Sequence, residues 1–180
     1  NTPVGSGSGK VIFNVETDQG MAQKGVNFAV VDYDFIETLG IKIANGRGFQ
    51  KDMPSDTLTG VVVNETFVNR MAWKDPIGKK VELGDANTIR ARVIGVMKDY
   101  HQTGMYNGIE SLLLVYRPLN NIIYIKLSEN DTKQTIAFIQ TKWKEIFPDQ
   151  PFNYTYLSER FSEQFQADEK RGLIFTIFTI

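Results

Sequence analysis

From Lys10 onward apolar and polar positions alternate: Val11, Phe13 and Val15 fall on one side of a predicted strand, Ile12 and Asn14 on the other. A second strand is predicted near Val26 to Val31. Asp18-Gln19-Gly20 between them has turn chemistry, so the two runs form a hairpin with a long loop. A helix from Asp32 or Tyr33 to Leu39 sets Phe35, Ile36 and Leu39 on one face, and Gly40 is placed to end it. Ile41 to Ile43 reads as a strand. Gln50 to Thr59, with Asp52, Pro54, Ser55 and Asp56, reads as a surface loop.

Val61 to Val63 is a short, fully apolar strand, and Asn64-Glu65-Thr66 supplies a cap and a first-turn carboxylate for a helix to about Trp73, with Phe67 stacked on Met71. Asp75-Pro76-Ile77-Gly78 closes that helix with a turn. Lys79 to Leu83 and Thr88 to Met97 read as antiparallel strands around Gly84-Asp85-Ala86-Asn87. Leu112 to Tyr116 and Ile122 to Leu127 read as another hairpin across Pro118-Leu119-Asn120-Asn121. Asp131 to Phe147 is the best-patterned helix: Asp131 with Gln134 resembles a capping box, Ile136, Ile139, Trp143 and Ile146 share a face, and Pro148 stops it. Phe152 to Leu157 fits a closing strand, and Ser158 can cap a final helix carrying Phe161 and Phe165. Strands mixed with a few helices, without a regular βαβ rhythm, give the fold class α+β, with mixed or antiparallel sheets.

The two ends depart from this pattern. Residues 1–9 hold Gly5, Gly7 and Gly9 alternating with Ser6 and Ser8, and read as a flexible lead-in. Gly5 to Lys10 mimics a phosphate loop, but it is one residue short of that spacing and Val11 stands where a magnesium-binding hydroxyl is needed. Residues 172–180 are almost unbroken apolar sequence. Nine residues are too few to span a bilayer, which takes about twenty in a helix, so they are either a core element or the first part of a membrane helix.

Composition narrows the chemistry. The 180 residues include 42% apolar and 23% charged residues with a net charge of -1, which fits a folded globular chain and leaves no basic excess for binding nucleic acid. With no cysteine, thiol nucleophiles, zinc ribbons and iron-sulfur clusters are excluded. The single histidine, His101, follows Asp99 by two residues, a spacing that allows a metal pair or a base with its orienting carboxylate. A turn-stabilising Asp99 and a surface His101 are the plainer alternative. Ser158 and Ser162 lack a nucleophile elbow, and Glu159, Glu163, Asp168 and Glu169 read as a solvated helix face. Tyr33, Phe49, Trp73, Tyr100 and Tyr106 can line a carbohydrate or peptide groove or fill a core. Arg47, between two glycines, suits pairing with a buried carboxylate through its planar fork.

Taken in order, Asp32-Tyr33, Phe35, Leu39-Gly40-Ile41, Gly46-Arg47-Gly48-Phe49, Val62-Val63-Asn64-Glu65-Thr66, Asp75-Pro76-Ile77-Gly78-Lys79 and Val93 to His101 resemble the periplasmic core domain of MacB/FtsX-like ABC-transporter permeases. The resemblance covers roughly Val26 to the C-terminus, including Glu169-Lys170-Arg171 at the position of the family's junction with its second membrane helix. It implies two subdomains: a ferredoxin-like porter part at 10–31 and 109–171, and a β-rich insertion at 32–108. It also implies that residues 172–180 begin a truncated transmembrane helix. The implied role is non-enzymatic: a periplasmic domain of an inner-membrane permease that transmits ATP-driven motion for export, lipoprotein handling or envelope signalling. Its implied partners are its own transmembrane helices, a cytoplasmic ATPase subunit or domain, a periplasmic protein and a second permease, with no nucleic acid. No catalytic, metal or cofactor residue carries over, and no cofactor is expected. Asn64, Glu65, Gly78, Gly95, Asp99 and His101 match motif positions and are assigned to turns, caps and packing. The alternatives are a periplasmic peptide- or glycan-binding module and a metal-dependent hydrolase using Asp99 and His101.

Overall fold

The computed structural model describes residues 6–83, 89–100, 108–117, 122–157 and 159. The chain divides into two compact units, residues 1–102 with 106–124, and residues 103–105 with 125–180.

The first unit is built on seven strands: β1 (Ser6–Thr17), β2 (Gly20–Val31), β3 (Ile43–Gly46), β4 (Gly60–Asn64), β5 (Lys80–Leu83), β6 (Ile89–Met97) and β7 (Leu112–Tyr116). Their order is β3-β6-β4-β7-β2-β1-β5, and β5 also pairs with β6. The sheet therefore closes on itself as a barrel, with β3 added beside the C-terminal half of β6. β2 with β7 and β4 with β6 run parallel, and the other pairs run antiparallel. Alternation sends Phe13, Val15, Val61, Val63, Val81, Ala91, Val93, Leu113 and Val115 into one core with Phe67 and Trp73. A second set, including Val62, Met97, Leu112, Leu114, Phe35, Ile36, Phe49 and Tyr116, is buried apart from that core, so β4 and β7 are covered on both faces. This is why both strands read as unbroken apolar runs.

Three short helices accompany the barrel: α1 (Phe35–Thr38), α2 (Pro54–Thr59) and α3 (Glu65–Arg70). α1 buries Phe35 and Ile36, and Gly40 leaves it with φ +66°. The second unit contains α4 (Thr132–Ile146), preceded by a single 3-10 turn at Glu129–Asp131.

Several expectations shift. β1 and β2 form a tight hairpin with Thr17 opposite Gly20, whose φ of +105° suits glycine. Ser6 to Gly9, expected as lead-in, already belong to β1. β3 begins at Ile43, where the Ile41 to Ile43 run was expected to end. The 50–59 stretch contains α2, opened by Pro54, with Asp56 buried. Ile122 to Leu127 is not a strand. The reason is topological: β7 is already paired with β2 on one side and β4 on the other, so no edge is left for a hairpin partner.

Asp131 makes no side-chain cap bond, and Thr132 instead donates to the Ser128 carbonyl. α4 has the expected apolar face but buries none of its residues fully. Residues 152–156 form no strand ladder, and the rings of Trp143, Phe152 and Tyr154 pack on one another in succession, tilted. The runs near 10–31, expected to separate from 32–108, pair in the same barrel as β4 to β7. The predicted final helix from Ser158, apart from Glu159, lies outside the described residues, as do residues 172–180. Among the described residues no helix is long and apolar enough to cross a membrane.

Candidate functional site

Asn64 ends β4 and caps α3, and its amide uses its full bonding capacity. Its Oδ1 accepts from the Phe67 N–H at 3.0 Å and the Leu112 N–H at 2.9 Å. Its Nδ2 donates to Asp99 Oδ1 at 2.8 Å and to the Glu110 carbonyl at 3.0 Å. Asp99, just past β6, also accepts from the Thr66 N–H at 3.0 Å and the Thr66 hydroxyl at 2.8 Å. Glu65 accepts from Lys98 Nζ at 2.6 Å, and this hydrogen bond holds its carboxyl below the usual carboxylate range. One fully buried side chain thus ties β4, α3, the exit of β6 and the entry to β7 together.

The same contacts engage Asp99. Both of its oxygens serve the α3 terminus and Asn64, which is the turn-stabilising alternative. His101 lies outside the described residues. Among the described residues no three His, Cys, Asp or Glu side chains gather as a metal site.

A second cluster joins β3 to α2. Arg47 donates from both terminal nitrogens to Asp56, at 2.6 and 2.7 Å, and Asp56 also accepts from the Gln50 N–H at 2.9 Å. Burial alone would push the Asp56 carboxyl up, but the Arg47 guanidinium and the Gln50 amide outweigh it and hold the carboxyl below its ordinary value. The buried carboxylate expected for Arg47 is therefore Asp56, a residue that reads from sequence as part of a surface loop. Pro at the first helical position followed by an acid in the first turn was the available signal of α2. Glycines allow the close approach behind this pair. A Cβ on Gly95 would lie 2.0 Å from the Arg47 carbonyl oxygen, and Gly46 has φ +70° against the Ile94 carbonyl. Gly78, at φ +85°, makes the turn before β5.

The candidate groove aromatics are dispersed. Phe49 and Trp73 are buried: Phe49 packs on Tyr116 at 5.8 Å, and Trp73 packs on Phe67 at 5.3 Å while donating to the Glu16 carbonyl. Tyr33 and Tyr100 are half-buried, and Lys51 Nζ sits 5.5 Å from the Tyr33 ring centre. The Tyr100 hydroxyl is buried with no hydrogen-bond partner among the described residues, and burial pushes its pKa up. Tyr106, Ser158, Ser162, Glu163, Asp168 and Glu169 lie outside the described residues. Glu159 accepts from the Tyr156 N–H.

The geometry is that of a cross-tied body without a recognisable reaction centre among the described residues, and known proteins resemble it in sequence and fold. The family described as the MacB-like periplasmic core domain matches residues 2–141. The macrolide export ATP-binding/permease protein MacB of Bartonella quintana is 26% identical over 118 residues, covering 59% of this chain and 17% of that protein. The chain thus corresponds to a small part of that relative's length. The extracellular domain of the noncanonic ABC-type transporter YknZ from Gram-positive bacteria shares the fold with a TM-score of 0.54 at 14% identity, covering 83% of this chain and 79% of that one. The periplasmic region of MacB from Actinobacillus actinomycetemcomitans aligns with a TM-score of 0.49 at 18% identity, covering 79% of this chain and 65% of that one.

Proposed function

Because the chain belongs to the MacB-like periplasmic core domain family, we propose that it works as a passive lever, passing ATP-driven motion of a membrane permease to an extracytoplasmic surface. The family match across residues 2–141 carries this reading. The Asn64 and Arg47 clusters support it physically, since a body that transmits displacement must not absorb it in its own loops. In this reading the barrel unit is the inserted β-rich part. Residues 125–171 contribute to the porter-like part, and residues 172–180 open a transmembrane helix. The motion serves export, lipoprotein handling or envelope signalling. The partners are the chain's own membrane helices, a cytoplasmic ATP-hydrolysing subunit or domain, a periplasmic protein and a second permease.

These 180 residues contain no cysteine, so the reading is tested by placing single cysteines among them in a natural full-length protein whose other cysteines, if any, are replaced, and labelling in cells. Thr176→Cys should resist a water-soluble maleimide while Lys51→Cys reacts from the periplasmic side. Equal labelling of both positions would remove the membrane anchor and the lever with it.

A further inference from the structure

We propose that Asn45 is a site of spontaneous backbone modification, at which the Asn45-Gly46 bond rearranges through a succinimide and releases the edge strand that carries Arg47. Asn45 is exposed, and among the described residues its side-chain amide has no hydrogen-bond partner. It lies on β3, a four-residue strand whose one partner among the described residues is β6, and the ladder is irregular between Ile43 and Asn45. Only the Asn45 and Gly46 pairs follow that irregularity, so opening this segment gives up few contacts. The next residue is glycine, whose nitrogen is the least hindered of any residue's. The other described asparagines, Asn14, Asn27, Asn64, Asn69, Asn130 and Asn153, all precede residues with side chains. Asn27 and Asn64 are further held by hydrogen bonds.

The chemistry needs only water. The Gly46 backbone nitrogen, losing its proton, attacks Asn45 Cγ; the new N–Cγ bond closes a five-membered imide, and the Cγ–Nδ2 bond breaks as ammonia leaves with that proton. Water then adds to either imide carbonyl and opens the ring to aspartate or isoaspartate, with no change of oxidation state. The isoaspartyl product inserts one extra carbon into the main chain between Ile43, paired with Met97, and Arg47, whose N–H donates to the Ile94 carbonyl at 3.1 Å. Even a Cβ added at Gly46 would clash with that carbonyl, so a lengthened chain has no room to keep both attachments. The Arg47–Asp56 pair is the contact next in line to loosen.

The test is timed incubation of the folded protein at mildly alkaline pH, followed by tryptic mapping of the peptide Ile43 to Arg47 and enzymatic isoaspartate detection. Acid and isoaspartyl forms should appear at position 45 several-fold faster than at the other described asparagines, and Asn45→Gln should abolish them. If that peptide stays intact in the folded protein while it converts in urea, the site is refuted. Hydrogen exchange of the deamidated fraction, separated from the parent by its added charge and scored for isoaspartate content, should be faster at the Arg47 and Gln50 amides than in Asn45→Asp, in proportion to that content. Equal exchange would refute the release of Arg47.

Discussion

Asn64 Nδ2 donates to Asp99 Oδ1 across 2.8 Å, joining the end of β4 to the exit of β6 over a separation of 35 residues. Asn64 is fully buried, so each of its hydrogen bonds is made away from competing water. Removing the amide leaves the Phe67 and Leu112 N–H groups and the Glu110 carbonyl without their partner. Asn64→Ala should therefore cost about 3 kcal/mol or more, combining a lost cap with unsatisfied buried groups. Asn64→Asp should cost at least as much, because it sets a second carboxylate against Asp99. Urea unfolding at neutral pH measures both, and a loss below that of an exposed asparagine variant would contradict the role of the hub.

Arg47 and Asp56 give a pH-dependent prediction. The folded Asp56 carboxyl titrates below its unfolded value, so the contribution of the pair is present above the unfolded pKa and is lost as pH falls through the folded one. In Arg47→Gln, burial acts without the guanidinium and the folded pKa rises toward or above the unfolded one, so the variant should be less stable than the parent at neutral pH and the acid loss due to Asp56 should shrink or reverse, the two curves converging as pH falls. Asp56→Ala should cost about 2 kcal/mol, less than a fully buried pair, because Arg47 keeps part of its surface in water. Stability measured by denaturant across the acidic range checks both. Coincident acid limbs for parent and Arg47→Gln would contradict the assigned ion pair.

Two glycines separate crowding from backbone strain. Gly95→Ala places a methyl group 2.0 Å from the Arg47 carbonyl oxygen, and should cost about 3 kcal/mol and loosen β3 from β6. Gly78→Ala meets open space but keeps φ +85°, so its cost should be about 1–2 kcal/mol with the pairing intact. Hydrogen exchange at the Arg47 amide distinguishes them: fast in Gly95→Ala, unchanged in Gly78→Ala.

Trp73 anchors the barrel core to the β1–β2 hairpin through its bond to the Glu16 carbonyl at 2.7 Å. Trp73→Phe keeps most of the packing against Phe67 and removes that donor, for an expected loss of about 1 kcal/mol. Thermal denaturation of the variant followed by far-ultraviolet circular dichroism tests this, and an unchanged midpoint would argue against the bond.

Local features of this protein were determined by residue type at short range. Alternation located β1 and β6, and Asn64 announced the start of α3 because a cap acts on an amide three residues away. Gly40 and Gly78 marked turns because only backbone freedom was at stake, and the ordered motifs identified the family. The tertiary structure decided whatever depends on which strand edge is already occupied and which groups meet across the chain. It left Ile122 to Leu127 without a ladder because β2 and β4 had taken both sides of β7. It drew Asp56 out of an apparently polar loop into the core, where Arg47 compensates its charge. It gave Asp99 to Asn64 and Thr66. Periodicity reports which way a side chain faces, and has no means of naming the partner it meets.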